Sequence, residues 1–232
     1  MRAQEIESVA ALEDSHWWYS ERRALLRREL RRHGVPGRAV DIGAAGGGNT
    51  RVLKECGWQA VAIDFSETAV AIARQRGIDV MRADARDLPL ESSEYDLVTA
   101  FDVLEHIDED HAAAAEICRV LRPGGTALIS VPCDMALWSA HDEACGHLRR
   151  YTRVELTELA EKAGLVVDRV WSWNVLLRPV VKWRRRSLAG SDLCDTAPVV
   201  NTLLGAVIAA ERYLPVKSLP GVSLMLRGYR PC

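Results

Sequence analysis

No Cys-x-x-Cys pair occurs among the six cysteines at Cys56, Cys118, Cys133, Cys145, Cys194 and Cys232. Scattered in this way over 232 residues, they spell out neither a disulfide framework nor a structural zinc site. No apolar run reaches the ~18–20 residues that a membrane-spanning helix requires. The first residues, Met1–Asp14, carry Glu5, Glu7, Glu13 and Asp14 and lack an apolar signal core, so the expected compartment is the cytoplasm. There is no internal repeat and no low-complexity tract. A net charge of −2 lacks the basic excess that phosphate contacts need, so no nucleic-acid partner is expected.

What is present is an ordinary globular composition, 48% hydrophobic and 27% charged. The length suits one α/β domain with an elaboration. From residue 38 to 132, short apolar runs (Ala39–Ile42, Ala60–Ile63, Ile78–Met81, Asp96–Ala100 and Thr126–Val131) alternate with helical segments. Those segments are Thr50–Cys56, Glu67–Arg76 and Asp110–Leu121. Such alternation predicts βαβ units, because parallel neighbours need a crossover. The runs show no period-2 alternation, as expected of strands covered on both faces.

Arg122–Gly125 is expected to stop a helix and turn into the next strand. Thr152 and Glu155 stand in capping-box spacing at the start of a helix over Thr152–Ala163, and Gly164 ends it. Leu165–Trp173 and Val222–Tyr229 read as the last strands. Between them lie two apolar helical stretches, Val175–Trp183 and Val199–Leu214, too long for an ordinary connection. The division expected is 1–36 as an N-terminal helical lid, 37–173 as the core, 174–220 as an inserted helical subdomain and 221–232 as the last core strand.

The strongest local signal is Val40-Asp-Ile-Gly-Ala-Ala-Gly-Gly-Gly-Asn49, directly after a strand and before a helix. Glycines there let backbone N–H groups approach a ligand, and the helix N-terminus favours negative charge. The second strand ends in Asp64, roughly 20 residues on, where an acid can accept hydrogen bonds from a ribose diol. The third leads to Ala83-Asp84-Ala85, where an acid can receive an exocyclic amine. The fourth runs into Phe101-Asp-Val-Leu-Glu-His106, and Leu121-Arg-Pro-Gly-Gly125 follows.

With these motifs in this order, residues ~38–170 resemble the core of class I S-adenosylmethionine-dependent methyltransferases, especially the group containing the ubiquinone-pathway and other small-molecule enzymes. The resemblance implies a Rossmann-like, seven-stranded, mostly parallel sheet with helices on both faces and an antiparallel last strand. It also implies that Asp41, Gly43 and Gly47 flank the methionine part of S-adenosylmethionine. Asp64 would hold the ribose, Asp84 and Ala85 the adenine, with Phe65 packed on the ring and Phe101 nearby. Ala45 stands where the family usually has glycine, which suits a negative φ there. The spacing does not match the Gly-x-Gly-x-x-Gly of a nicotinamide dehydrogenase. Asn/Asp-Pro-Pro-Tyr, the mark of amino-group methylation on bases, is absent after the fourth strand.

Methyl transfer is an in-line displacement, and a hydroxyl acceptor also requires a base or a metal ion. The segment Trp138–Tyr151 is the richest in such groups and is expected to wall the acceptor pocket as irregular chain. His141 is the first candidate for general base, because imidazole titrates near neutral pH, with Asp142 orienting it or accepting the proton and His147 second. Trp138, Arg150 and Tyr151 are substrate-binding candidates, although Arg150 and Tyr151 would equally anchor the next helix. Asp102, Glu105 and His106 fall at i, i+3 and i+4, one face of a helix, and could hold Mg²⁺. They could equally cap and hydrogen-bond near the cofactor.

At the N-terminus, His16-Trp-Trp-Tyr19 precedes a stretch of six arginines within Glu21–Arg32. The resemblance places this segment over the cofactor as a lid, with an aromatic such as Tyr19 near the sulfonium. The tryptophans and cations of 171–186, including Lys182–Arg186, have the composition of an interfacial element. A peripheral membrane contact, a hydrophobic acceptor's wall, a homodimer contact and simple packing all fit residues 174–220. The reading is O-methylation of a small molecule's hydroxyl, on a sugar, a lipid-linked compound or a natural product. The alternatives are an N- or C-methyltransferase, or a non-catalytic S-adenosylmethionine-binding scaffold.

Overall fold

A computed structural model describes residues 3–185 and 196–232, so Arg186 and Cys194 lie outside the described residues. Two helices, α1 (Ala3–Leu12) and α2 (Trp17–His33), precede the sheet. The core then runs β1 (Arg38–Ile42), α3 (Gly48–Glu55), β2 (Gln59–Asp64), α4 (Glu67–Gln75), β3 (Val80–Arg82), β4 (Tyr95–Phe101), α5 (Asp110–Val120) and β5 (Leu121–Pro132). A six-residue helix α6 (Ala140–Cys145), then α7 (Arg153–Lys162) and β6 (Val166–Trp173), follow. Helices α8 (Arg178–Arg185) and α9 (Pro198–Ala210) separate β6 from β7 (Ser223–Tyr229).

The seven strands are ordered β3-β2-β1-β4-β5-β7-β6. β1 to β5 are parallel, and β7 runs antiparallel to both of its neighbours, β5 and β6. The pleat of β4 shows why these runs lack alternation. Val98 and Ala100 join the cluster formed with Ala113, Ile117 and Val120 of α5 and Leu156 of α7. Leu97 and Phe101 join the opposite cluster, with Leu25 and Leu26 of α2, Val52 and Leu53 of α3 and Ile208 of α9. Both faces are buried, so both carry apolar residues.

Several boundaries differ from the sequence reading, each for a local reason. Helix α5 stops at Val120, because Leu121 already pairs with Tyr95; an irregularity takes up Arg122–Gly125 before Thr126 pairs with Leu97. The expected helix over Thr152–Ala163 starts at Arg153, with Thr152 as its cap and the Thr152–Glu155 capping box in place. Residues 138–151 are not irregular throughout: they include α6, closed by a second capping box between Ser139 and Asp142. Asp102, Glu105 and His106 do not share a helix face. Asp102 sits at φ 57°, at the end of β4, and only Leu104–His106 forms a single 3₁₀ turn.

The strand order reverses between β1 and β4. In open α/β sheets a crevice opens there, beyond the carboxyl ends of the strands, and ligands bind in it. Read along that edge, Asp84 follows β3, Asp64 ends β2, the glycine turn follows β1, Phe101 and Asp102 close β4, and α6 lies beyond β5. Among the described residues, no helix is long and apolar enough to cross a membrane.

Candidate active site

A cavity of about 810 Å³ occupies this crevice. That is toward the upper end of the ~300–1,000 Å³ usual for small-molecule sites. Its floor is the glycine turn. Gly43 adopts φ 69°, and a Cβ there would stand 2.3 Å from Val103 Cγ2, so no other residue fits. Ala45 contradicts the expectation of a negative φ: it sits at 48°, in the left-handed region that disfavours alanine. Its N–H donates to Asp64 Oδ2 at 2.9 Å, while Asp64 Oδ1 accepts from the N–H of Ser66 at 2.8 Å. The two bonds fix the carboxylate at the cavity wall. Burial nonetheless pushes the Asp64 carboxyl up.

Tyr19, Gly43, Ala45, Asp64, Phe65, Asp84, Ala85 and Phe101 all line the cavity. Phe65 is 67% exposed, with the Arg82 guanidinium 6.0 Å from its ring centre. Asp84 pairs with Arg86 at 2.7 Å, and that hydrogen bond holds its carboxyl below the usual range. Burial raises the Tyr19 phenol above its ordinary range.

Two expected ligand-binding residues do not reach the cavity. Asp41 is buried, and its carboxylate accepts from Thr50 Oγ1 at 2.6 Å and Thr99 Oγ1 at 2.7 Å. Burial raises it to about 6, even though both hydroxyls favour the charged form. Asp41 therefore anchors β1 to α3 and β4. Gly47 is the left-handed N-cap of α3, where a Cβ would meet Ile78 Cγ1 at 2.6 Å, so its role is to turn the backbone.

The first two helices close over the turn. Glu13 is 7% exposed; its Oε1 accepts from the N–H of Gly48 at 3.0 Å and its Oε2 pairs with Arg76 at 2.6 Å. An acid from the N-terminal segment thus caps α3, where the helix dipole favours negative charge. Arg22 of α2 lies over the Phe101 ring at 5.1 Å and forms an ion pair with Asp102. It is 7% exposed and lines the cavity, and its Nη2 has no hydrogen-bond partner among the described residues. Neither residue stands out in the sequence. Arg22 follows Tyr19 by one helical turn, the spacing that would have placed both on one face.

Beyond β5 the geometry revises the roles expected of the His141 segment. Asp142 is fully buried, outside the cavity lining, and does not orient His141. Its Oδ1 instead holds His147 Nδ1 at 2.8 Å and the Nε and Nη2 of Arg150, each at 2.8 Å. Its Oδ2 accepts from the N–H of Ser139 at 3.0 Å, with Arg185 Nη1 at 3.9 Å. Burial alone would raise this carboxyl; the His147 hydrogen bond and the Arg150 charge overcome that and hold it far below the usual range. Arg150 is itself pushed down, first by burial and then by Arg185 beside it.

His141, His147 and Arg150 line the cavity; Trp138 and Tyr151 do not. Tyr151 is buried and donates its hydroxyl to Asp110 Oδ2 at 2.7 Å, tying this segment to the start of α5. His141 lies against Cys145, with Sγ 3.8 Å from each ring nitrogen. Glu105 is buried beneath the histidines; burial pushes its carboxyl well up, and the charge of Asp102 adds to this. His106 is pushed down to about 4 by burial, with His147 beside it. Of the two roles open to Asp102, the hydrogen-bonding one is what its contacts serve: Arg22 and Ser130 Oγ (3.0 Å) occupy its carboxylate, and it does not join Glu105 and His106 as a candidate metal set. Leu177 and Val181, with Leu204 of α9, supply an apolar wall.

Residues 16–170 match a family model described as a methyltransferase domain. A Mycolicibacterium smegmatis protein, described as a probable S-adenosylmethionine-dependent methyltransferase, is 29% identical over 166 residues, which is 69% of this chain and 64% of that protein. A ubiquinone biosynthesis O-methyltransferase of Methylococcus capsulatus is 35% identical over 100 residues, covering 40% of this chain and 42% of the relative. The chain thus spans less than two thirds of the length of these curated relatives. In fold it is similar to a chain from the complex of the Haloferax volcanii Trm112 methyltransferase activator with a methyltransferase. There the TM-score is 0.66 at 22% identity, over 98% of both chains.

Proposed function

The chain belongs to the S-adenosylmethionine-dependent methyltransferases, and from that premise we propose that it methylates the hydroxyl oxygen of a small molecule with an apolar portion. The observation that carries this reading is one continuous cavity. Its β2–β3 side presents Asp64 and Asp84, and its β5 side presents His141, Arg150 and the apolar wall.

The residues present suit the cofactor. Asp64, fixed by two backbone N–H groups, has the acceptor capacity for a ribose diol. Asp84 would receive the adenine amine, and exposed Phe65 would pack on the ring. The buried, unsatisfied Nη2 of Arg22 suits the cofactor's carboxylate, since leaving such a donor unpaired costs about 1–3 kcal/mol or more. When bound, S-adenosylmethionine supplies an electrophilic methyl carbon on a sulfonium.

On the acceptor side, His141 is the group that would take the hydroxyl proton of an acceptor whose oxygen receives the methyl group. Arg150, held by Asp142, orients the acceptor, and the lid residues Tyr19 and Arg22 exclude water. A dry site strengthens each of these electrostatic contacts. The ubiquinone-pathway relative acts on oxygen by its name, which supports the choice of atom.

Calorimetric titration with S-adenosylmethionine and S-adenosylhomocysteine tests the cofactor half. Binding is expected, and Asp64→Asn should weaken it on the order of 10–100-fold, the worth of a hydrogen bond to a charged group. No binding by the parent protein sinks the proposal. The acceptor half is tested by turnover of hydroxylated compounds graded in apolar chain length.

A further inference from the structure

We infer that Glu105, His106 and His147 form a binding site for one divalent transition-metal ion, of the Zn²⁺ class and not of the Mg²⁺ class. One ligand atom from each of the three lies within 4.8 Å of the other two, at the wall of the cavity. Donors around a single ion at about 2.1 Å stand roughly 3–3.5 Å apart, so modest side-chain rotations close the set.

Two features point to an ion and away from a hydrogen-bonded cluster. The first is Glu105: its side chain is fully buried, and neither carboxylate oxygen has a hydrogen-bond partner among the described residues. His147 Nε2, at 4.0 Å from Glu105 Oε1, is too far to provide one. A buried carboxylate without partners is costly, and a cation between these three groups would satisfy it.

The second feature is the outer layer. His147 Nδ1 is bound to Asp142 Oδ1 at 2.8 Å, and His106 Nδ1 faces the Gly146 carbonyl at 3.2 Å. Each contact places the proton on Nδ1 and leaves the Nε2 lone pair free to ligate. Metal-binding histidines are usually held through their second nitrogen by a carboxylate or a backbone carbonyl in this way. Asp142 is in turn fixed by Arg150 and the capping box, so the His147 ring is oriented from behind.

The donor set decides the ion. Two imidazoles and one carboxylate suit Zn²⁺ and its neighbours, whereas Mg²⁺ prefers oxygen ligands and keeps much of its water. An oxygen-richer set of Asp102, Glu105 and His106 is not assembled, because Asp102 is engaged by Arg22 and Ser130. Three protein ligands at a cavity wall leave a coordination position open for a small oxygen ligand.

The test needs neither cofactor nor acceptor, so it stands or falls separately from the methyl-transfer reading. The chelator-treated 232-residue protein is titrated calorimetrically with Zn²⁺ and with Mg²⁺, and Co²⁺ binding is followed by its visible absorption. One Zn²⁺ per chain is expected, bound at least ~100-fold more tightly than Mg²⁺. Glu105→Gln, His106→Ala and His147→Ala should each weaken Zn²⁺ by about 10–100-fold or more, and Asp102→Asn should leave it unchanged. Thermal melts identify any variant that fails to fold, and the partly exposed His106 provides the mildest change. The inference is overturned by any of three results: no stoichiometric Zn²⁺, Mg²⁺ bound as tightly as Zn²⁺, or folded variants of all three ligands that keep parental affinity.

Discussion

Replacing Asp142 by asparagine removes one negative charge and almost no volume, so it isolates what that charge does. The carboxylate lies at 0% side-chain exposure against Arg150 at 1% and Arg185 at 9%. Two guanidiniums therefore share it, and the imidazole of His147 binds the same oxygen as Arg150. An exposed pair of this kind contributes about 0–1 kcal/mol. A buried pair that loses one partner costs about 3–5 kcal/mol, because the remaining charge is left without compensation in a poor solvent. For a chain of this size that corresponds to a fall in Tm of roughly 6–20 °C.

Urea unfolding followed by far-UV circular dichroism measures the change, with an unchanged slope indicating that the unfolded state is not involved. The pH dependence gives a second arm. The folded-state pKa is depressed, so the carboxylate's contribution is complete above its unfolded value of about 3.9 and is lost as pH falls below it. The Asp142→Asn variant should lack that acid-side loss. A destabilisation below about 1 kcal/mol at neutral pH would refute the argument, because it would mean that Arg150 finds equal compensation from water or another group.

Three further outcomes follow from the same geometry. His141→Ala should lower turnover by about 10²–10⁴-fold while leaving the affinity for S-adenosylmethionine nearly unchanged; loss of cofactor binding would make the residue structural. Ala45→Gly should relieve left-handed strain of about 1–2 kcal/mol, offset by about 0.4–1 kcal/mol of unfolded-chain entropy, for a small net gain in the urea midpoint; a lower midpoint counts against it. Asp41, raised to about 6, holds its proton in the folded state at pH values where the unfolded chain has released it. Its contribution to stability should fall by up to about 3 kcal/mol as pH rises from about 4 to 6 and stay flat above, and Asp41→Asn should abolish that slope.

Residues that act within a few positions of their own backbone were legible in the sequence. The five parallel strands announce themselves because burial on both faces requires continuous apolar runs. Asp64 and Asp84 reach the cavity because Asp64 ends β2 and Asp84 lies two residues past β3, and all five parallel strands end at the same edge. The Thr152–Glu155 capping box is likewise complete within one turn of helix.

Partner choice across the fold was not legible. Asp142 adjoins His141 in the chain, yet its capping role in α6 turns the carboxylate inward, to His147 and Arg150. Asp102 precedes Glu105 and His106, yet Arg22, 80 residues away in α2, takes it. Glu13 caps a helix 35 residues downstream. The sheet, its glycine turn and the carboxylates at the strand ends follow from the order of residues alone, because backbone propensity and burial pattern are local. Which charge neutralises which emerges only once the elements pack. A buried ionic group takes whichever opposite charge the packing brings within about 3 Å, and sequence distance carries no information about that.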